Sequence, residues 1–174
     1  NNDSISCAMT RAALLDAKRG DFEGSIFCAD KALDKGDRNP LAAPIAALAE
    51  LKLGNTEMAE KRIDALLKRD PLNHLARYVA VILGKISKDE FYGALKSSMS
   101  QTCMDLAFDL TAAGYTAEAM ELLSAVPLYT KDVAPSLACY IGKPEAASFA
   151  HRTFPFRFEE IAALNAYENE NDFR

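Results

Sequence analysis

The chain has 174 residues, 49% hydrophobic and 26% charged, with a formal net charge of -5. That length suits one domain able to bury a sizeable core, and the high apolar content argues against disorder. The balance of 25 acidic against 20 basic residues argues against a nucleic-acid partner, because such binders carry a basic excess on one face.

Thirty alanines, with abundant Leu, Lys and Glu, favour helix. The N-terminus, Asn1-Asn2-Asp3-Ser4, has no initiator Met and no basic-then-apolar export signal, so the chain is expected to be a piece of a longer protein. A recurring pattern follows. Lys18-Arg19-Gly20-Asp21-Phe22 aligns with Lys52-Leu53-Gly54-Asn55-Thr56, and the interval from Gly20 to Gly54 sets a period. Small residues stand five positions after each glycine, at Ser25 and Ala59, and apolar ones nine after, at Ala29 and Ile63. Ala113-Gly114-Tyr115, with Ala119 and Leu123, repeats the same offsets. The physics is that of a helix pair. Glycine ends the first helix in a left-handed residue, and the second folds back antiparallel with Ser25 or Ala59 at the tightest crossing. Asn39, Asn73 and Ser100 read as N-caps, and Pro40 as the first helical residue after Asn39.

Clear units are expected at 5–39 and 40–73. The interval from Gly54 to Gly114 falls short of two periods, so 74–99 reads as a degenerate unit: a helix over 75–83 and a shorter one over 88–95. Residues 100–127 form another unit. A compressed pair spans 131–152, with helices over 133–140 and 144–151 joined by Gly142-Lys143. A truncated start over 153–174 ends the chain with aromatic, then helical, then Asn-rich acidic sequence. The apolar run 41–53 is broken by Pro44, Glu50 and Lys52 and is too short for a membrane span.

The second unit resembles the tetratricopeptide repeat: Ala46-Ala47, Gly54, Ala59, Ile63 and Pro71 fall at that family's signature offsets. The aromatics common in its first helices are replaced here, by Met9 and Ala43 and by Asp16 and Glu50. The resemblance implies an all-α fold, a right-handed superhelix of antiparallel helix pairs (an α-solenoid) forming one domain. Three segments, 70–78, 101–107 and 154–161, look like the repeat region of large bacterial proteins that also carry an uncharacterised carbohydrate-active-enzyme-like β-domain. What this implies is a non-catalytic protein-interaction or domain-packing scaffold within a multidomain bacterial protein. The alternative is an accessory helical module of a glycan-processing enzyme, shaping or covering an attached active site. Partners would be a protein, a peptide or another domain of the same polypeptide.

In that family the inner face is lined by first helices. Counting back from each glycine puts Leu48 and Lys52, then Tyr78 and Ile82, then Met104 and Phe108 on it. The family's Lys-Asn-Arg carboxylate clamp is missing. An apolar stripe at helical spacing is either a groove for an apolar segment or packed core, and both remain open at this point.

Chemistry-bearing residues are sparse. His74 and His151 stand apart and read as a helix-start and a helix-end residue, not ligands. Glu159 and Glu160 are adjacent, so on a helix they point about 100° apart and do not converge. No phosphate loop, GxSxG or HExxH occurs, so neither catalysis nor a cofactor is expected of the chain alone. Cys7, Cys28, Cys103 and Cys139 read as four small core residues, a Cys7–Cys28 bridge being geometrically conceivable. Scattered cysteines and the missing export signal favour the cytoplasm.

Overall fold

The computed structural model describes residues 2–35, 40–95 and 98–148, and all regular structure among them is helical. In chain order come α1 (Asn2–Lys18), α2 (Phe22–Asp34), α3 (Ala42–Lys52), α4 (Thr56–Arg69), α5 (His74–Ile82), α6 (Lys88–Leu95), α7 (Met99–Ala112), α8 (Thr116–Tyr129) and α9 (Pro135–Tyr140), then a short 3-10 turn at Pro144–Ala146. Neighbours in sequence pack on each other: α1 on α2, α2 on α3, α3 on α4, α4 on α5, α7 on α8.

Five turns are built alike. Gly20, Gly54, Gly84, Gly114 and Gly142 all have φ between 68° and 83°. At Gly20 the glycine N–H donates to the Ala17 carbonyl (3.0 Å) and the next N–H, of Asp21, to the Asp16 carbonyl (2.9 Å). The same two bonds recur at Gly54, Gly84, Gly114 and Gly142. Both orphan carbonyls of the helix end are thereby satisfied, and a left-handed residue without Cβ is what this closure requires. The degenerate middle is thus two equal, shortened intervals meeting at Gly84, a turn that the period set by Gly20 and Gly54 passes over. The expected small residues after the turn, Ser25, Ala59 and Ala119, are fully buried.

Several helix boundaries differ from the sequence reading. Asn73 caps α5, its side-chain oxygen accepting the Ala76 N–H at 2.8 Å. Ser100 lies one residue inside α7 and instead donates to the Asp132 carbonyl at 2.9 Å. Pro40 precedes α3, and its carbonyl accepts from the Asn73 side chain at 3.1 Å. Asn39 lies outside the described residues. Of the compressed pair, the first helix is Pro135–Tyr140 and the second is represented by the 3-10 turn; 149–174 lie outside the described residues. All four cysteines are free, and only Cys103 is in the core, where burial pushes its thiol up to about 12. Cys28 is half-buried beside Asp16, and Cys7 and Cys139 are exposed, on sides of α1 and α9 that nothing described covers.

The first helices of the units also touch one another: α1 with α3, α3 with α5, α5 with α7, and α7 back with α1. The last contact is backbone-close. A Cβ on Gly114 would sit 2.8 Å from the Lys18 Cα, whereas one on Gly54 would meet nothing within 4 Å. Gly54→Ala should therefore cost about 1–2 kcal/mol, the left-handed penalty alone. Gly114→Ala should cost more, because α1 must also move. Urea unfolding of both variants checks the order; equal losses would show that the α1–α7 approach is not tight.

Candidate functional site

The six residues assigned to an inner face separate into two groups. Leu48, Tyr78 and Met104 are core residues of the main cluster. Tyr78 is held at both ends: its ring lies 5.6 Å from Phe91, and its hydroxyl donates to the Glu118 carbonyl at 2.8 Å. Burial, with Glu121 and Glu118 nearby, drives that phenol above its ordinary pKa. Met104 sulfur accepts the Ser136 hydroxyl at 3.3 Å. These three side chains are buried, Tyr78 by α6 and α8 and Met104 against Ser136 of α9, and are not available to a ligand. The groove expectation gives way here to packed core.

Lys52, Ile82 and Phe108 remain at the surface. Lys52 pairs with Glu118 at 2.6 Å and lies 5.8 Å from the Tyr115 ring centroid. Ile82 is 39% and Phe108 56% exposed. They belong to α5 and α7, which pack on each other. They are the part of the six able to meet a partner.

Beside this surface stands an aromatic core. Tyr92 stacks on Tyr129 (centroids 4.4 Å apart) and donates its hydroxyl to the Leu122 carbonyl at 2.8 Å. Phe91 sits edge-on to Tyr92 at 5.1 Å. α6 has only 8 residues, and these rings fill the space that a longer helix would cover with more turns.

The strongest electrostatic feature joins three helices. Arg62 of α4 donates to both carboxylate oxygens of Glu50 on α3, through Nε at 3.2 Å and Nη2 at 2.7 Å, and through Nη1 to Asp30 of α2 at 2.6 Å. Glu50 is 3% exposed. Its carboxylate is buried among the apolar residues of α3, so it needs a bidentate cation to be tolerated there. The sequence carried one signal of this: a lone acid interrupting the run 41–53. Next to Arg62, a cleft of about 400 Å³ between α2, α3 and α4 has an apolar floor (Leu33, Ala43, Met58, Leu66) and a rim of Lys61, Arg62 and Arg69.

No protein-family model, curated protein or solved structure matches this chain. Among the described residues there is no group of three or more His, Cys, Asp or Glu placed to hold a metal ion. Nor, among them, is any helix long and apolar enough to cross a membrane. His74 opens α5; His151, Glu159 and Glu160 lie outside the described residues.

One titratable group is out of register. Asp109 of α7 occupies the position that is Ala49, Val79 and Leu137, all fully buried, and the half-exposed Leu15 in the other units. Desolvation holds its carboxyl up at about 6.

Arg62→Ala should destabilise by about 3–5 kcal/mol because it strands Glu50, and Arg62→Leu with Glu50→Leu should recover most of that loss; denaturant midpoints test both. For Asp109 the native pKa exceeds the ordinary value near 4, so the unfolded chain ionises first as pH rises. Stability is lost between about pH 4 and pH 6. Asp109→Asn should raise stability by about 1–2 kcal/mol above pH 6 and not at all below pH 4. Thermal melts across that range measure it.

Proposed function

We propose that the chain is a non-catalytic packing scaffold of the tetratricopeptide-like kind, a stack of helix pairs that offers its outer surfaces to a protein partner or to another domain of the same polypeptide. The observation that carries the reading is the fivefold glycine turn. One closure, used at 20, 54, 84, 114 and 142 with paired helices between, is the construction of a helical repeat, in which each unit buries its apolar face on its neighbours. The filled interior favours outward presentation over capture of a peptide within a groove. Ile82 and Phe108, large apolar side chains left in solvent by adjacent first helices, are the residues through which contact is expected.

The test has two arms. Ile82→Asp with Phe108→Asp should abolish association with whatever domain or protein co-purifies with the chain, while the far-ultraviolet circular dichroism and melting temperature stay as they were. The purified chain should turn over chromogenic ester, phosphoester and glycoside substrates no faster than buffer. Retained association in the double variant removes these residues from the interface. Turnover that follows the protein through size-exclusion chromatography overturns the scaffold reading.

A further inference from the structure

The cleft beside Arg62 has no part in the surface formed by Ile82 and Phe108. Where α6 meets α8, the space between second helices is filled by Tyr92 stacked on Tyr129. Between α2 and α4 the space stays open at about 400 Å³, a volume in the range of small-molecule sites.

One face of α4 forms its long wall. Met58, Lys61, Ala65 and Arg69 follow one another at three- and four-residue spacing and extend about 16 Å at about 1.5 Å per residue. Ala43 of α3 and Leu66 are buried in the floor, and Leu33 of α2 is half-buried across from them. The alanines at 43 and 65 leave the room; a long side chain at either position would fill it.

Charge sets what the cleft can hold. Three cations line it and, among the described residues, no carboxylate does. Two of the three are already answered. Arg62 is held by Glu50 and Asp30, and Lys61 pairs with Glu57 at 2.6 Å. Arg69 has no ion-pair partner among the described residues. The carboxylate next to it in sequence, Asp70, accepts the Leu72 N–H at 3.3 Å. One uncommitted guanidinium at the end of an apolar trough matches one negative charge on an apolar body, and its planar fork suits a carboxylate. A dianion would call for a second free cation. A helix about 10 Å across would need several times the volume of the cleft, so the occupant is a narrow chain.

We propose that the cleft binds a small amphiphilic monoanion, a straight apolar chain bearing one carboxylate, with the chain laid on Leu33, Ala43 and Leu66 and the carboxylate on Arg69. The inference goes beyond the scaffold reading and does not depend on it.

The experiment titrates the full chain, carbon-13 labelled at its methionine methyls, with octanoate at pH 8 below the onset of micelles. Octanol and octyltrimethylammonium are the controls. Met58 lines the cleft, and Met120 is an exposed methionine on α8. The Met58 signal should shift saturably with octanoate while that of Met120 stays in place, and octanol should bind at least about fivefold more weakly. Arg69→Gln should weaken octanoate about fivefold and remove the salt dependence of its binding. Ala65→Trp, which fills the trough, should abolish binding. Both altered side chains are exposed, so circular dichroism should stay unchanged. An unmoved Met58 signal overturns the proposal, as does equal affinity for octanol or octyltrimethylammonium. So do parallel shifts at Met58 and Met120, which mark adsorption over the whole surface, or octanoate binding untouched by Arg69→Gln and Ala65→Trp. Because the cleft lies on α2, α3 and α4, and Ile82 and Phe108 on α5 and α7, either test can fail and leave the other standing.

Discussion

Two helices can pack antiparallel over their full length only if the chain between them reverses within a few residues and leaves no buried carbonyl unpaired. The glycine closure meets both demands at once. A left-handed residue turns the chain, and the two N–H groups that follow the helix return to its last carbonyls. Helix length, pairing and the burial of Ser25, Ala59 and Ala119 all follow from where the glycine stands. The glycines draw closer along the chain, the interval from Gly20 to Gly54 being the widest and that from Gly114 to Gly142 the narrowest. The shortened intervals divide their residues unevenly, α4 keeping 14 where α6 has 8.

That closure is local, and so it was legible. Gly20, Gly54 and Gly114 carried the same neighbours at fixed offsets, and the helix pairs around them follow from glycine conformation and helical periodicity alone. Gly84 was harder to find, because a ruler cut to the first interval skips it. The residues after it give no help either, since Asp89 and Gly93 stand where the other turns have their small and apolar residues. The N-cap at Asn73 could be read because its bond to Ala76 is made within one turn; Ser100 could not, because its partner is the distant Asp132 carbonyl.

The surface was less legible for the same reason. Helical spacing places Leu48, Tyr78, Met104, Ile82 and Phe108 on corresponding sides of their helices, but not which of those sides meet protein. That depends on α1 reaching α7 and on the aromatic rings of α6 filling in behind Tyr78. Both are long-range consequences of unequal unit lengths. Asp109 emerges only when positions are compared between units, as a carboxylate where its counterparts are aliphatic.

The Glu50–Arg62–Asp30 cluster carries a further implication for assembly. Modules that look alike invite mispairing during folding: a helix from one copy can dock on the wrong neighbour, or on another molecule, with little loss of apolar burial. A carboxylate sunk into α3 penalises every such mistake, since it finds its fork of donors only on α4 and only with α2 alongside. The junction of the first two pairs is thereby keyed, and the remainder of the stack has a fixed place from which to be built.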